Sequence, residues 1–322
     1  MILDGRVEVP AILLKSECPS RFRFTDGTGI DVNDPLCIGC RSLSNPIGQT
    51  HLRKSRVLRP FHSLKFFGAW LVPWRAAFLT RAEPSGLRFY VSHRDGIGRQ
   101  VAKYGGIEPE LTSWIGNRLQ QAPKGIIIDV GANLGWHSVH AARHDCVEKI
   151  VAFEPDAFNA WLFERNLAIN AIDKVIVEAC AVGAEPGLAR LYRYKPSNKG
   201  RHSLLKDYGL GSRLVPMVDI DSAIDALGLG DRRVLLMKID VEGYEPSVIA
   251  GATRTLTRTD ALITEYSPSL SRSGNLSLGE MTGRLVGTGF VPHLLMDDGG
   301  IALIDESELR RIERQVDVIW TR

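Results

Sequence analysis

IIIDVGANLGWHSVHAARH, residues 126 to 144, opens on three β-branched residues and Asp129, turns through Gly131-Ala-Asn133-Leu-Gly135, and closes on a helical pattern. Its apolar start has the character of a strand buried on both faces, as in a parallel sheet. Two glycines bracketing three residues between strand and helix mark a sharp turn, of the kind that lets a ligand approach where a Cβ would clash. The spacing is G-x-x-x-G. It is neither the dinucleotide G-x-G-x-x-G nor the phosphate loop G-x-x-x-x-G-K-[ST], so the two commonest phosphate cradles are disfavoured.

Outward from this turn the same alternation recurs. Apolar runs at Lys149 to Phe153, Lys174 to Glu178, Val234 to Ile239 and Ala261 to Glu265 are each followed by a helical pattern. Strands alternating with helices predict an α/β, doubly wound fold with a mostly parallel sheet covered on both faces. Upstream, Leu87 begins a strand and turn (LRFYVSHRDGIG), and Ile107 to Gln120 predicts a helix with Leu111, Trp114, Ile115 and Leu119 on one face. Downstream, FVPHLLM, GIALI and VDVIW have no helix long enough for a crossover between the last two, which predicts an antiparallel hairpin at the sheet edge.

The chain of 322 residues is 44% hydrophobic and 24% charged, which excludes a disordered or collagen-like class. Its 40 basic and 37 acidic residues leave a net charge of +3, too small to imply nucleic acid as a partner. The most apolar stretch, Phe66 to Trp74, is interrupted by Gly68 and Pro73 and is well short of the roughly 18 to 20 residues of a membrane span. Asp4, Glu8, Lys15 and Glu17 break up any secretory signal, and five cysteines in a chain this long do not make a disulfide scaffold, so a cytoplasmic setting is expected. Prolines recur through the first 80 residues without a helical or strand period, so residues 1–85 are expected to be an irregular, separable extension and 86–322 the α/β domain.

Two further motifs carry chemistry. Glu154 ends the Lys149 to Phe153 strand and is followed by Pro155. A carboxylate about 20 residues beyond the glycine turn, at the tip of the adjacent strand, is placed to accept both ribose hydroxyls of a nucleoside ligand. In LLMKIDVEGYEPSVIAGA, residues 235 to 252, an apolar strand ends abruptly in Lys238, Asp240, Glu242 and Glu245. These lie at the carboxyl edge of the sheet, where open α/β folds bind ligands.

The set DVGANLGWHS, AFEPDAFNAWLFERNLAIN, ACAVG and KIDVEGYEPSVIAGA, in this order and spacing, resembles the FkbM family of class I S-adenosylmethionine-dependent methyltransferases over roughly residues 88 to 322. The resemblance implies a seven-stranded Rossmann-like sheet with a reversed final hairpin, S-adenosylmethionine as cofactor, and O-methylation of a sugar, glycolipid or secondary-metabolite hydroxyl. Carried over by position, it puts Asp129, Gly131, Asn133 and Gly135 around the methionyl part of the donor. It puts Glu154 at the ribose, Ala181 and Val182 near adenine, and Asp240 by the methyl group. Asn198 to Leu205 (NKGRHSLL) would face the acceptor.

An acidic rim of Asp129, Asp240 and Glu242 suits a sulfonium and an ammonium and would repel a pyrophosphate. A sugar hydroxyl needs a base, for which Asp240, Glu242, Glu265 and His202 are open alternatives. A nicotinamide-dependent oxidoreductase would share Glu154 but should show the dinucleotide glycines. A non-catalytic binding module should have lost the acids near Asp240.

Three features are given ordinary readings. Cys37-Ile-Gly-Cys40, with Cys18 and His51 nearby, lacks the second ligand pair of a zinc site, so no metal is expected. His137, His140 and His144 read as structural histidines of a packed helix. The aromatic run Phe61, Phe66, Phe67, Trp70 and Trp74, among Arg59, Lys65 and Arg75, reads as a flap over the domain before it reads as an interfacial segment for peripheral membrane contact.

Overall fold

A computed structural model of the chain describes residues 77–92, 95–195, 199–268 and 277–322. The cysteine pair at 37 and 40 and the aromatic run from Phe61 to Trp74 lie outside them, as does Asn198. In chain order the elements are β1 (Phe78–Arg81), β2 (Arg88–Val91), α1 (Gly96–Tyr104), α2 (Pro109–Gln120), β3 (Gly125–Val130), α3 (Trp136–Ala141), β4 (Val147–Phe153), α4 (Ala157–Ile169), β5 (Val175–Glu178), β6 (Ala181–Val182), β7 (Gly187–Tyr192) and β8 (Ser212–Val218). They continue with α5 (Ile220–Ala226), β9 (Val234–Ile239), α6 (Glu245–Ala250), α7 (Thr253–Thr257), β10 (Ala261–Tyr266), α8 (Leu278–Gly287), β11 (Val291–Leu295), β12 (Ile301–Leu303), α9 (Glu306–Leu309) and β13 (Val316–Thr321).

Eight strands form one sheet in the order β12-β11-β13-β10-β9-β3-β4-β5. The five strands from β10 to β5 are parallel, and β13 runs antiparallel to both β10 and β11. The sheet has eight strands where the resemblance implies seven, and the C-terminal antiparallel hairpin joins β12 to β11, not to the last strand. Burial explains why the last strand enters the sheet and leaves β12 at the edge. Val318, Ile319 and Trp320 are wholly buried, whereas Leu303 of β12 is 70% exposed. The Trp320 indole also donates to the Thr264 hydroxyl across the β10–β13 pair at 2.9 Å.

Successive residues of β3 face opposite layers, as the pleat requires. Ile127 packs with Leu111, Trp114, Ile115 and Leu119, the predicted face of α2. Ile126, Ile128 and Val130 pack with Ile220 and Ile224 of α5, Val248 and Ile249 of α6, and Met281 and Leu285 of α8. A third cluster joins Phe89 and Val91 of β2 to Trp136, Leu162 and Phe163. β1, on the N-terminal side of the expected boundary at 85, pairs antiparallel with β2.

The glycine turn is demanded by the chain itself. Gly131 and Gly135 have φ of 79° and 82°. A Cβ at Gly131 would meet the Asp240 carbonyl, and one at Gly135 would run into the Phe163 ring. The space a side chain would take is therefore filled by Asp240, just past β9, and by Phe163 of α4. Gly135→Ala combines a left-handed φ with this overlap and should lower stability by about 2 kcal/mol, read as a shifted urea midpoint.

Candidate functional site

The C-terminal tips of β3, β4, β9 and β10 open on a cavity of about 290 Å³. Glu154 sits at the β4 tip and is 6% exposed. Its Oε2 accepts the Asn133 N–H and its Oε1 the Asp156 N–H, both at 2.8 Å. Burial, reinforced by the charge of Asp156, pushes the Glu154 carboxyl up to about 7 despite these donors. Each oxygen keeps acceptor capacity beyond its one backbone bond. Cys180, Ala181 and Val182 form a buried apolar wall beside it, and Asn133, held at φ 53°, lines the same cavity with Gly131.

Gly135 and Asp129 do not line the cavity. Asp129 is 2% exposed and faces α3, where its Oδ2 accepts the Ser138 hydroxyl at 2.6 Å; its Oδ1 has no hydrogen-bond partner. It serves the strand-to-helix junction.

The other half of the cavity carries charge. Lys238 is buried and donates to Asp240 Oδ2 at 3.0 Å. Burial disfavours its charge, but Asp240, Asp129 and Glu108 outweigh that and hold the ammonium above its usual range. Glu242, at φ 54°, is clamped by Arg201, whose Nε and Nη2 donate to its two oxygens at 3.1 and 3.3 Å. Burial first, then the charge of Asp240, pushes Glu242 up to about 7. Glu265 accepts from Gln315 and, at 3.1 Å, from Ser267. Burial and the neighbouring Asp240, Glu242 and Glu245 hold its carboxyl well above the ordinary range. His202 also lines the cavity, with its Nδ1 accepting the Tyr194 N–H at 3.0 Å and its Nε2 3.5 Å from Asp156 Oδ2.

A small sheet of order β6-β8-β7 borders the cavity, and the segment between β7 and β8 carries Arg201 and His202. Arg213 of β8 ties it to the β4 tip by donating to Pro155 O and Asp156 Oδ2 at 2.9 and 2.8 Å. Beneath the β9 tip, Glu245 Oε1 accepts the Val241 and Gly243 N–H groups at 3.1 and 3.2 Å. It is wholly buried, and burial pushes its carboxyl up to about 8.

Sequence reasoning missed Glu108 and His137 as cavity residues. Glu108 precedes α2 at φ 41° and pairs with His137 Nε2 at 2.8 Å. Of the other two histidines, His140 lies on α3, stacked on Phe89 and tilted against Trp136, and burial pushes its ring down to about 4, while His144 lies beyond the end of that helix. Among the described residues no cluster of three metal-ligating side chains occurs and no helix is long and apolar enough to cross a membrane.

The raised carboxyls set the sign of the pH dependence. Glu154, Glu242, Glu245 and Glu265 bind protons more tightly folded than unfolded. Their stabilising contribution is complete below the unfolded pKa near 4.5 and is lost as pH rises through about 7 to 8. Stability should therefore fall by on the order of 2 kcal/mol between pH 5 and 8.5, with a flatter profile in Glu245→Gln, as thermal melts across pH will check.

A family model described as the methyltransferase FkbM domain matches residues 129–291. "Methyltransferase 1" of Beauveria bassiana is 28% identical over 143 residues, covering 39% of this chain and 57% of that protein. "Methyltransferase sdnD" of Sordaria araneosa is 29% identical over 154 residues, covering 39% and 59%. The chain thus spans somewhat more than half the length of these curated relatives. Among solved structures, a SAM-dependent methyltransferase from Agrobacterium tumefaciens aligns over 77% of this chain and 70% of its own at 10% identity, with a TM-score of 0.42.

Proposed function

The chain belongs to the methyltransferase FkbM domain family, and from that premise we propose that it transfers a methyl group from S-adenosylmethionine to a hydroxyl of a sugar, glycolipid or secondary metabolite. The observation that carries this reading is the division of one cavity into two halves. One half has Glu154 beside an apolar wall, and the other has Asp240 on a buried lysine.

The residues fit the donor. Glu154 would accept the two ribose hydroxyls, with Asn133 and Asp156 fixing its carboxylate, and Ala181 and Val182 would lie against adenine. When bound, S-adenosylmethionine supplies a methyl group already on a sulfonium leaving group. The chain's own task is to align an acceptor oxygen within about 3 Å of that methyl and remove its proton. Asp240 suits the proton, because its side chain, 36% exposed, is more accessible than the buried Glu154, Glu242 and Glu265, and Lys238 holds its orientation. Glu242 is clamped by Arg201, Glu265 is held protonated at neutral pH, and both His202 nitrogens have polar neighbours.

Calorimetry should show binding of S-adenosylhomocysteine and negligible binding of NAD; tighter binding of NAD would favour the oxidoreductase reading. Mass spectrometry after incubation with candidate glycans, glycolipids and polyketide alcohols should show a 14 Da gain on the acceptor, the mass of one CH₂ and about the smallest group such a transfer adds.

A further inference from the structure

We propose that the outer face of the β7–β8 pair, with the basic residues at its end, docks the protein on an anionic lipid surface. None of the residues involved lines the cavity, so this surface stands apart from the donor reading.

The two faces of the pair differ. Ala189 and Leu191 of β7 pack with Val215 and Met217 of β8, and with Ala181 and Leu204, into a small core of their own. The pleat turns the alternate residues the other way. There Leu188 stands opposite Pro216 and Arg190 opposite Leu214, and the two leucines are 68% and 58% exposed. Directly opposed residues on neighbouring strands lie about 5 Å apart, so these four make one continuous patch. Leu210, just before β8, is half exposed as well. Leu191, on the inner face, lines the cavity, so the outer face backs onto the site.

Charge identifies the occupant. From Leu188 to Pro216 the sequence holds seven lysines and arginines and one acid, Asp207, against 40 and 37 in the whole chain. Arg201 and Arg213 are engaged by Glu242 and Asp156. Arg190, Arg193, Lys195 and Lys206 are exposed, and no carboxylate among the described residues pairs with them. Arg193 follows the end of β7, its N–H donating to Gly211 O at 2.9 Å, and Lys206 sits over Tyr208, whose ring meets Tyr194 edge-on. The cations therefore extend from the apolar patch along one end of the pair. Leucines of such a surface enter the boundary between headgroups and acyl chains, while arginine and lysine stems lie along it with their charges at the phosphates. Nucleic acid would use the cations but has no place for the leucines. The other exposed strand pair supplies the contrast. Leu303 of β12 is 70% exposed, but residues 291 to 308 hold five acids and no lysine or arginine, a surface that an anionic bilayer repels.

Sedimentation of the full chain with vesicles tests the surface. Wild type should bind phosphatidylcholine vesicles containing about a quarter phosphatidylserine at least about tenfold more tightly than phosphatidylcholine alone, and the preference should shrink as salt rises. Arg190→Gln, Arg193→Gln and Lys206→Gln combined should weaken binding about 10- to 100-fold, and Leu188→Ser with Leu214→Ser about tenfold. Leu303→Ser, from the acidic strand pair, should change it by less than about twofold. All of these side chains are exposed, so each variant should melt with wild type. The surface is overturned if wild type shows no preference for the anionic vesicles. It is also overturned if the β7–β8 variants bind like wild type, which would move the contact to another segment such as the aromatic run from Phe61 to Trp74. A wild-type dimer that the leucine substitutions dissociate, read by light scattering, would give the face to a second copy. A single-stranded RNA bound more tightly than the vesicles, and lost in the charge variant alone, would give it to nucleic acid. Calorimetry with S-adenosylhomocysteine is a separate readout, whose failure would sink the donor reading and leave the surface standing.

Discussion

Glu154→Ala should lose about 2 to 4 kcal/mol of S-adenosylhomocysteine affinity, the worth of two charge-assisted hydrogen bonds less partial replacement by water. The structure explains why so much rests on one side chain. Its carboxylate is almost fully withdrawn from solvent, and Asn133 and Asp156 hold its two oxygens from opposite sides. A ribose bound here would therefore meet an acceptor that needs no reorganisation. The elevated carboxyl, near 7, adds a second expected result. Affinity should rise as pH increases from 6 to 8, because ionisation converts Glu154 to an acceptor only, and Glu154→Gln should bind weakly with no such slope. Calorimetry at several pH values checks both, and an unchanged affinity in folded Glu154→Ala would move the ribose elsewhere.

Asp240→Asn should leave donor affinity largely intact while turnover falls by about 10² to 10⁴, the usual range for a lost general base. The substitution keeps the size of the side chain but weakens the partner of Lys238, so a melting curve belongs with the kinetics. Glu265→Gln is the informative contrast. Because that carboxyl is already held protonated by burial and its acidic neighbours, the amide is close to its neutral-pH state. Its turnover at pH 7 should drop by less than about tenfold. If single-turnover methyl transfer is at the wild-type rate in Asp240→Asn, the reaction proceeds by positioning alone or uses another acceptor for the proton.

The parallel strands were legible because strands buried on both faces carry near-continuous apolar runs, as in Ile126 to Ile128 and Val234 to Met237. Glu154 was legible because its distance from the glycine turn is set by one helix and one strand. β7 and β8 were not. Leu188 and Leu214 are exposed while Leu191 and Val215 are buried, so apolar residues occupy both faces, and Pro216 interrupts the second strand. Glu108 and His137 were illegible for a different reason. They stand 29 positions apart, and only the packing of α2 beside α3 makes them a pair. His137 read as one of three helix histidines, and nothing in local spacing marks it as the one beside a cavity. The glycines were read correctly as a turn, but the clash that excludes a side chain comes from Asp240 and Phe163 and not from a ligand.

That origin alters what the motif reports about descent. A lineage that abandoned methyl transfer and kept the fold would still be compelled to retain glycine opposite Phe163, since the aromatic ring occupies the space whether or not any nucleoside is ever bound. Such pseudoenzymes would carry an intact glycine signature and be indistinguishable from working catalysts by it. On the proposed reading, drift would first erase the carboxylates at 154 and 240, and those positions, not the glycines, would separate active members from inert ones.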